Sequence, residues 1–197
     1  MKPIDRGELL GIAEYEAIRE HFRARVVAEK KLRRVSVGPA VTVIFESRDT
    51  VLMQIQEMIR TERITRPAGI EHELETYNEL VPGDKELSCT MMIDVIDKVE
   101  RDAFLRDVRG IQQHVALVID GERIGARCPT KDDSGDERAV AVLYLKFSIP
   151  DRAAQALRAA NAHATLPVEL AIDHPNYAAR VRLPRSTVAE LAQDLDA

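Results

Sequence analysis

The residues with the clearest chemical potential lie in one acidic stretch, EHELETYNEL, where His72, Glu75 and Glu79 recur at i, i+3 and i+7. On a helix this spacing sets an imidazole and two carboxylates on one face. Such ligands suit a divalent ion of iron, manganese or zinc. Glu57 and Glu62, in the preceding QIQEMIRTER stretch, would complete the sphere from a neighbouring helix. Di-iron bundles place Glu-x-x-His on each of two helices. This chain has one His-x-x-Glu, in the reverse order, and no second copy. The alternative for the same residues is a pair of solvated helix faces laced with Glu/Arg pairs.

QIQEMIRTER also offers a contact surface. Gln56, Arg60 and Arg63 follow one another along one helix edge, and Gln54, Glu57 and Thr61 along the other. Gln56, Glu57, Arg60, Glu62 and Arg63 are the candidate binding surface for a partner. The basic run Lys30 to Arg34 could grip phosphate. Aromatic interleaving and a nucleic-acid-binding signature are both missing, and a basic helix end that complements the helix dipole is the simpler reading. Cys89 sits in an apolar alternating run and reads as a small core hydrophobe. Cys128 precedes Pro129 and reads as an exposed thiol with nothing local to activate it. Asp132, Asp133 and Asp136 in KDDSGDER do not have EF-hand spacing and read as a solvated loop. His174 in DHPNY is a ligand, an acid–base group or a turn residue, and the Pro and Asn beside it favour the turn. A Gly-rich phosphate loop, a G-x-S-x-G elbow, an H-E-x-x-H pair and a dinucleotide fingerprint are all absent, which weakens an enzyme reading.

These residues need elements to hold them. Tyr15, Ile18, Phe22 and Val26 recur at helical spacing and predict a long helix over 13–34. Strand patterns cover 35–46 and 87–95, with Gly38-Pro39 as a turn or bulge at the first entry. Between them lie two helices, 50–64 with Asp49 as N-cap and 70–80, separated by Pro67 and Gly69 and expected to pack as a pair. A charged helix is expected over 98–108. A hairpin over 114–124 turns at Asp120-Gly121. The run 139–149 is apolar on both faces and predicts a central strand. A helix after Pro150 and a hairpin around 174–177 follow, the hairpin setting Glu169 opposite Arg182. Thr187 and Glu190 form the capping box of a terminal helix. The expected fold is α+β: a mainly antiparallel sheet with hairpins, flanked by an N-terminal long helix and a helix pair, in one domain over 1–197 with 1–34 as a candidate helical extension.

The 197 residues can bury a core without disulfides, and with aromatic residues at 4% and no Trp that core must be aliphatic. A net charge of −5 argues against non-specific DNA binding. Two cysteines without metal-ligand spacing, no secretory h-region at MKPIDRGELL and no membrane-length apolar run point to the cytoplasm.

RRVSVG, FESRDTVLMQIQEMIRTERI, EHELETYNELVPG and ELSCTMMIDV together resemble an uncharacterised bacterial family, a domain of unknown function. Genes of that family are often found beside those for rubrerythrin and an iron–sulfur oxidoreductase. The resemblance implies a role near peroxide detoxification or electron transfer, with a rubrerythrin or the iron–sulfur oxidoreductase as partner, and carries no catalytic residue over. The expected function is a non-catalytic accessory or binding protein of that redox system. The alternative is a metal-dependent enzyme with its site between the helices at 50–64 and 70–80. A homo-oligomer is compatible with both.

Overall fold

The computed structural model describes residues 1–129, 138–163 and 166–196. In chain order these form α1 (Ile12–Arg33), β1 (Arg34–Ser36), β2 (Val41–Glu46), α2 (Arg48–Thr61), α3 (Pro67–Asn78), β3 (Glu86–Ile93) and α4 (Lys98–Asp107). They continue with β4 (Val115–Ile119), β5 (Glu122–Gly125), β6 (Val142–Ser148), α5 (Asp151–His163), β7 (Val168–His174), β8 (Tyr177–Arg182) and α6 (Arg185–Asp194). The fold is α+β. The strands form two four-stranded antiparallel sheets, ordered β1-β2-β3-β6 and β5-β4-β7-β8.

Successive strand residues face opposite sides of a sheet. In the first sheet Val43, Phe45, Cys89, Met91, Leu145 and Phe147 enter a large core. Val115, Leu117, Leu170 and Ile172 of the second sheet enter the same core, together with residues of α4, α5 and α6. The opposite face of the second sheet is polar, with Arg123 paired to Asp173 and Arg180 to Glu169. A smaller apolar cluster covers the other face of the first sheet: Val51, Ile55 and Ile59 of α2, Ile70 and Leu74 of α3, and Leu80 and Val81 after it, with Tyr144 of β6 packed against them. The predicted helix pair is present, and α1 lies against α2, β2 and α6.

The two sheets are tied at both ends of their strand order. A bridge between Arg127 and Lys146 joins the end of β5 to β6. At the other end the Tyr177 hydroxyl of β8 donates to the Val37 carbonyl at 2.5 Å and accepts from the Ala40 N–H at 3.2 Å, across the turn between β1 and β2. That turn needs Gly38: its φ is +73°, and a Cβ there would lie 2.5 Å from the Tyr177 hydroxyl oxygen.

Several boundaries differ from expectation for identifiable reasons. The strand expected over 35–46 is a hairpin, because Gly38 reverses the chain. The N-cap of α2 is Ser47, not Asp49: Ser47 and Thr50 exchange hydrogen bonds between side chain and backbone N–H, and Asp49 pairs with Arg25 instead. Pro67 starts α3 rather than separating it from α2, since a first-turn residue needs no N–H donor. β6 is an edge strand of the first sheet, not a central one, and its exposure alternates. Thr187 is inside α6, where its hydroxyl donates to the Leu32 carbonyl at 2.6 Å, and Glu190 pairs with Arg33. Thr187 and Glu190 join α6 to α1 and form no capping box.

Candidate functional site

The contact between α1 and α2 decides the surroundings of three residues proposed as a contact surface. Gln56 is buried, and its amide accepts from the Leu10 N–H at 2.7 Å and donates to the Leu10 carbonyl at 3.3 Å. Glu57 receives two hydrogen bonds from Arg19, at 2.8 and 2.9 Å, and one from the Tyr15 hydroxyl at 2.7 Å. The Arg19 guanidinium holds the Glu57 carboxyl below the usual carboxylate range; burial pushes the other way, and Tyr15 adds to the lowering. Arg60 pairs with Glu16 at 2.5 Å. Glu57 and Arg60 thus bind α1 to α2 and Gln56 binds the segment before α1 to α2, whereas Glu62 and Arg63 are exposed at the end of α2. His72, Glu75 and Glu79 are also exposed, because α3 turns Ile70 and Leu74 inward. Among the described residues no three His, Cys, Asp or Glu side chains converge to hold a metal ion, so the expected ligand row is not assembled with Glu57 and Glu62.

The remaining candidates take structural positions. Cys89 is buried on the core face, and burial, then the charge of Glu46, pushes its thiol up. His174 accepts the Asn176 N–H on Nδ1 at 3.1 Å and contacts the Arg109 carbonyl with Nε2 at 3.0 Å, which binds the last hairpin to the segment after α4. Arg33 is in the core of a cluster between α1 and α6, 2.9 Å from Glu29, 3.0 Å from Glu190 and 2.5 Å from Asp194. Asp132, Asp133 and Asp136 lie outside the described residues.

A different site emerges from the outward face of the first sheet. Strand register sets Ile44, Thr90 and Tyr144 in one cross-strand row, and Thr42, Met92 and Val142 in the next. Glu46 lies one pleat beyond Ile44 on the same face of β2. The helices cover this face incompletely. Between them and the sheet is a cavity of about 320 Å³ lined by Lys30 of α1, Val51 and Gln54 of α2, Leu80, and the sheet residues Ile44, Glu46, Thr90, Met92, Val142 and Tyr144.

Glu46 is the unusual member. It is 7% exposed, and its two oxygens accept hydrogen bonds from the hydroxyls of Thr50 and, at 2.6 Å, Thr90. No cation pairs with it among the described residues. The other buried acidic and basic side chains are paired: Arg33 with Asp194, and Glu86 with Lys146 at 2.7 Å and with Arg127. A desolvated carboxylate held only by hydroxyls is costly, which makes each remaining lone pair a strong acceptor. Lys30, on the cavity wall, makes no ion pair among the described residues. Burial, then the nearby Tyr77 and Glu46, raises the Tyr144 hydroxyl, so it stays protonated as a donor. The cavity therefore offers an anion, a cation, a neutral donor and the Gln54 amide against an aliphatic wall. Of these groups only Gln54 and Lys30 stand out in the sequence, each for another reason. The available signal was faint: Glu46, Thr90 and Tyr144 are polar residues in strands that mix polar and apolar positions.

A family described as "Protein of unknown function (DUF3501)" matches residues 3–195. A crystal structure of a novel protein of unknown function from Burkholderia pseudomallei K96243 is similar to this chain, with 32% sequence identity and a TM-score of 0.90, over 99% of this chain and 100% of the other. No curated protein matches. Among the described residues no helix is long and apolar enough to cross a membrane.

Proposed function

The chain belongs to the DUF3501 family, whose function is unknown, and on that premise we propose that it is a non-catalytic accessory protein that binds a small molecule in the cavity between α2 and the first sheet. The observation that carries this reading is Glu46, a buried carboxylate without a cationic partner among the described residues, at the wall of a cavity. A ligand that donates to it would recover the solvation lost on folding. Pockets with an apolar lining and a few convergent polar groups are the usual form of small-molecule sites, and Lys30, Gln54 and Tyr144 supply those groups here.

The test is native mass spectrometry of the full chain purified without chelator, combined with melting curves in the small-molecule fraction of a cell extract. A bound molecule or a raised melting temperature is expected. Both effects should vanish in Met92→Trp, a larger side chain on the cavity wall at a position that makes none of the Glu46 hydrogen bonds. A protein that carries nothing and does not respond to the extract would count against the reading.

The accessory role draws its support from the sequence resemblance, which makes a rubrerythrin or an iron–sulfur oxidoreductase the partner to test. Glu62 and Arg63 are the exposed members of the candidate contact surface. Capture of either redox protein by the wild type, and its loss on Glu62→Lys with Arg63→Glu, would support this role. Equal capture by both forms would oppose it.

A further inference from the structure

We infer that the cavity takes a small zwitterion of the aliphatic α-amino acid class, with its ammonium on Glu46 and its carboxylate on Lys30 and Tyr144. The inference rests on the binding reading above and specifies its ligand. Three features of the cavity select this class.

The first is charge. The lining contains one carboxylate, Glu46, and one ammonium, Lys30, which do not pair with each other. A ligand with only a negative charge would satisfy Lys30 but bring a second anion to Glu46. A ligand with only a positive charge would satisfy Glu46 but crowd Lys30. A zwitterion satisfies both, and each contact is a charge-assisted hydrogen bond in a partly desolvated space.

The second is hydrogen-bond capacity. Each Glu46 oxygen already accepts one hydroxyl, from Thr50 or Thr90, and keeps a lone pair for a further donor. An ammonium supplies several donors and no acceptor, which suits those lone pairs. The Tyr144 hydroxyl donates and has no hydrogen-bond partner among the described residues. It is available to a carboxylate that Lys30 also contacts. The Gln54 amide can serve either end.

The third is size and wall chemistry. About 320 Å³ is near the lower end of ligand pockets, which run from roughly 300 to 1,000 Å³. Ile44, Val51, Leu80 and Met92 give an aliphatic wall without a charged group to receive a polar side chain. A compact molecule with both charges at one end and a hydrocarbon at the other fits this division.

The test compares three probes that share one hydrocarbon: L-leucine, its deaminated analogue 4-methylpentanoate, and its decarboxylated analogue isopentylamine. Affinity is measured by titration calorimetry with the full chain, in the wild type, Glu46→Gln, Lys30→Ala and Tyr144→Phe. The amino acid is expected to bind at least about tenfold more tightly than either analogue, as two charge-assisted contacts should against one. Glu46→Gln should erase its advantage over the acid, and Lys30→Ala its advantage over the amine. Tyr144→Phe, which leaves both charges in place, should weaken leucine and the acid but not the amine. The inference is overturned if leucine gains nothing over both analogues, or if folded variants leave the affinity ratios unchanged. Binding of the acid or the amine alone would overturn the zwitterion while the cavity remained a binding site. Absence of all three, in a protein that nevertheless carries another molecule in mass spectrometry, would do the same.

Discussion

Replacing Arg33 with methionine removes the cation that joins the last turn of α1 to α6. Arg33 is 4% exposed and faces Glu29, Glu190 and Asp194. Methionine fills much of the same volume, so the loss is mainly electrostatic. Removing one partner of a buried ion pair typically costs about 3–5 kcal/mol, a large part of the roughly 5–15 kcal/mol that holds a domain folded. With a urea dependence of about 2 kcal/mol per M, the unfolding midpoint should fall by roughly 1.5–2.5 M. The pH dependence follows from Asp194. Burial raises its carboxyl above the usual range, and the Arg33 hydrogen bond and charge oppose that rise. A carboxyl raised in the fold loses stability as pH climbs from the unfolded value toward the folded one. Without Arg33 the folded value climbs further. The penalty should be full near neutral pH and shrink as the solution is acidified through the raised value, where Asp194 takes a proton. Urea titrations of wild type and Arg33→Met at about pH 7 and about pH 5 measure this directly, with Arg33→Lys as a charge-retaining control. A penalty under about 1 kcal/mol, or one that is the same at both pH values, would refute the argument. Lys30 lies one helical turn before Arg33, so loosening this turn should also weaken any ligand that uses its ammonium.

Two further substitutions probe the contacts that hold the sheets in place. Gly38→Ala should cost more than about 1 kcal/mol, because alanine is strained at a φ of +73° and its Cβ meets the Tyr177 hydroxyl. Thermal unfolding of Gly38→Ala, Tyr177→Phe and the double variant should show sub-additive losses, since removing the hydroxyl relieves part of the clash; strict additivity would show that the two residues do not interact. Glu86→Gln tests another buried carboxyl. Burial pushes Glu86 up, but hydrogen bonds from Lys146, the Gly83 N–H and Arg127, with the charge of Lys146, outweigh it and leave the carboxyl below its ordinary value. A depressed carboxyl contributes stability above the unfolded pKa, near 4.3, and loses it as pH falls through the folded value. The Gln variant should be about 1–3 kcal/mol less stable at neutral pH, with a difference that narrows in acid. A gap that widens on acidification would contradict the lowered value.

The local features were legible because short-range rules govern them. Asp120-Gly121 reads as a turn with positive φ angles, and the structure has them at 49° and 80°. Glu169 stands opposite Arg182 as the turn chemistry of DHPNY implies, although His174 and Tyr177 are themselves a strand pair, and the Glu169 carboxylate bonds Arg180. The long helix, the helix pair and the antiparallel hairpins follow from periodicity in the same way. The strand at 142–148 takes an edge rather than a central position, because its apolar run fits either a central strand or an edge strand beside another cluster.

The site was not legible by such rules. Periodicity assigns Gln56, Glu57 and Arg60 to polar helix edges, correctly as a pattern, but pattern does not say whether water or another segment of the chain meets that edge. The cavity draws on segments from Lys30 to Tyr144, and no short motif spans that separation. The amino-acid order determined the elements, their turns and the polar or apolar character of each face. The packing of α1 and α2 over the first sheet decided which charges are neutralised and leaves Glu46 without a cation among the described residues. The reason is physical: a side chain's period is set by its neighbours along the backbone, whereas its dielectric surroundings and partners are set by whatever the fold brings against it.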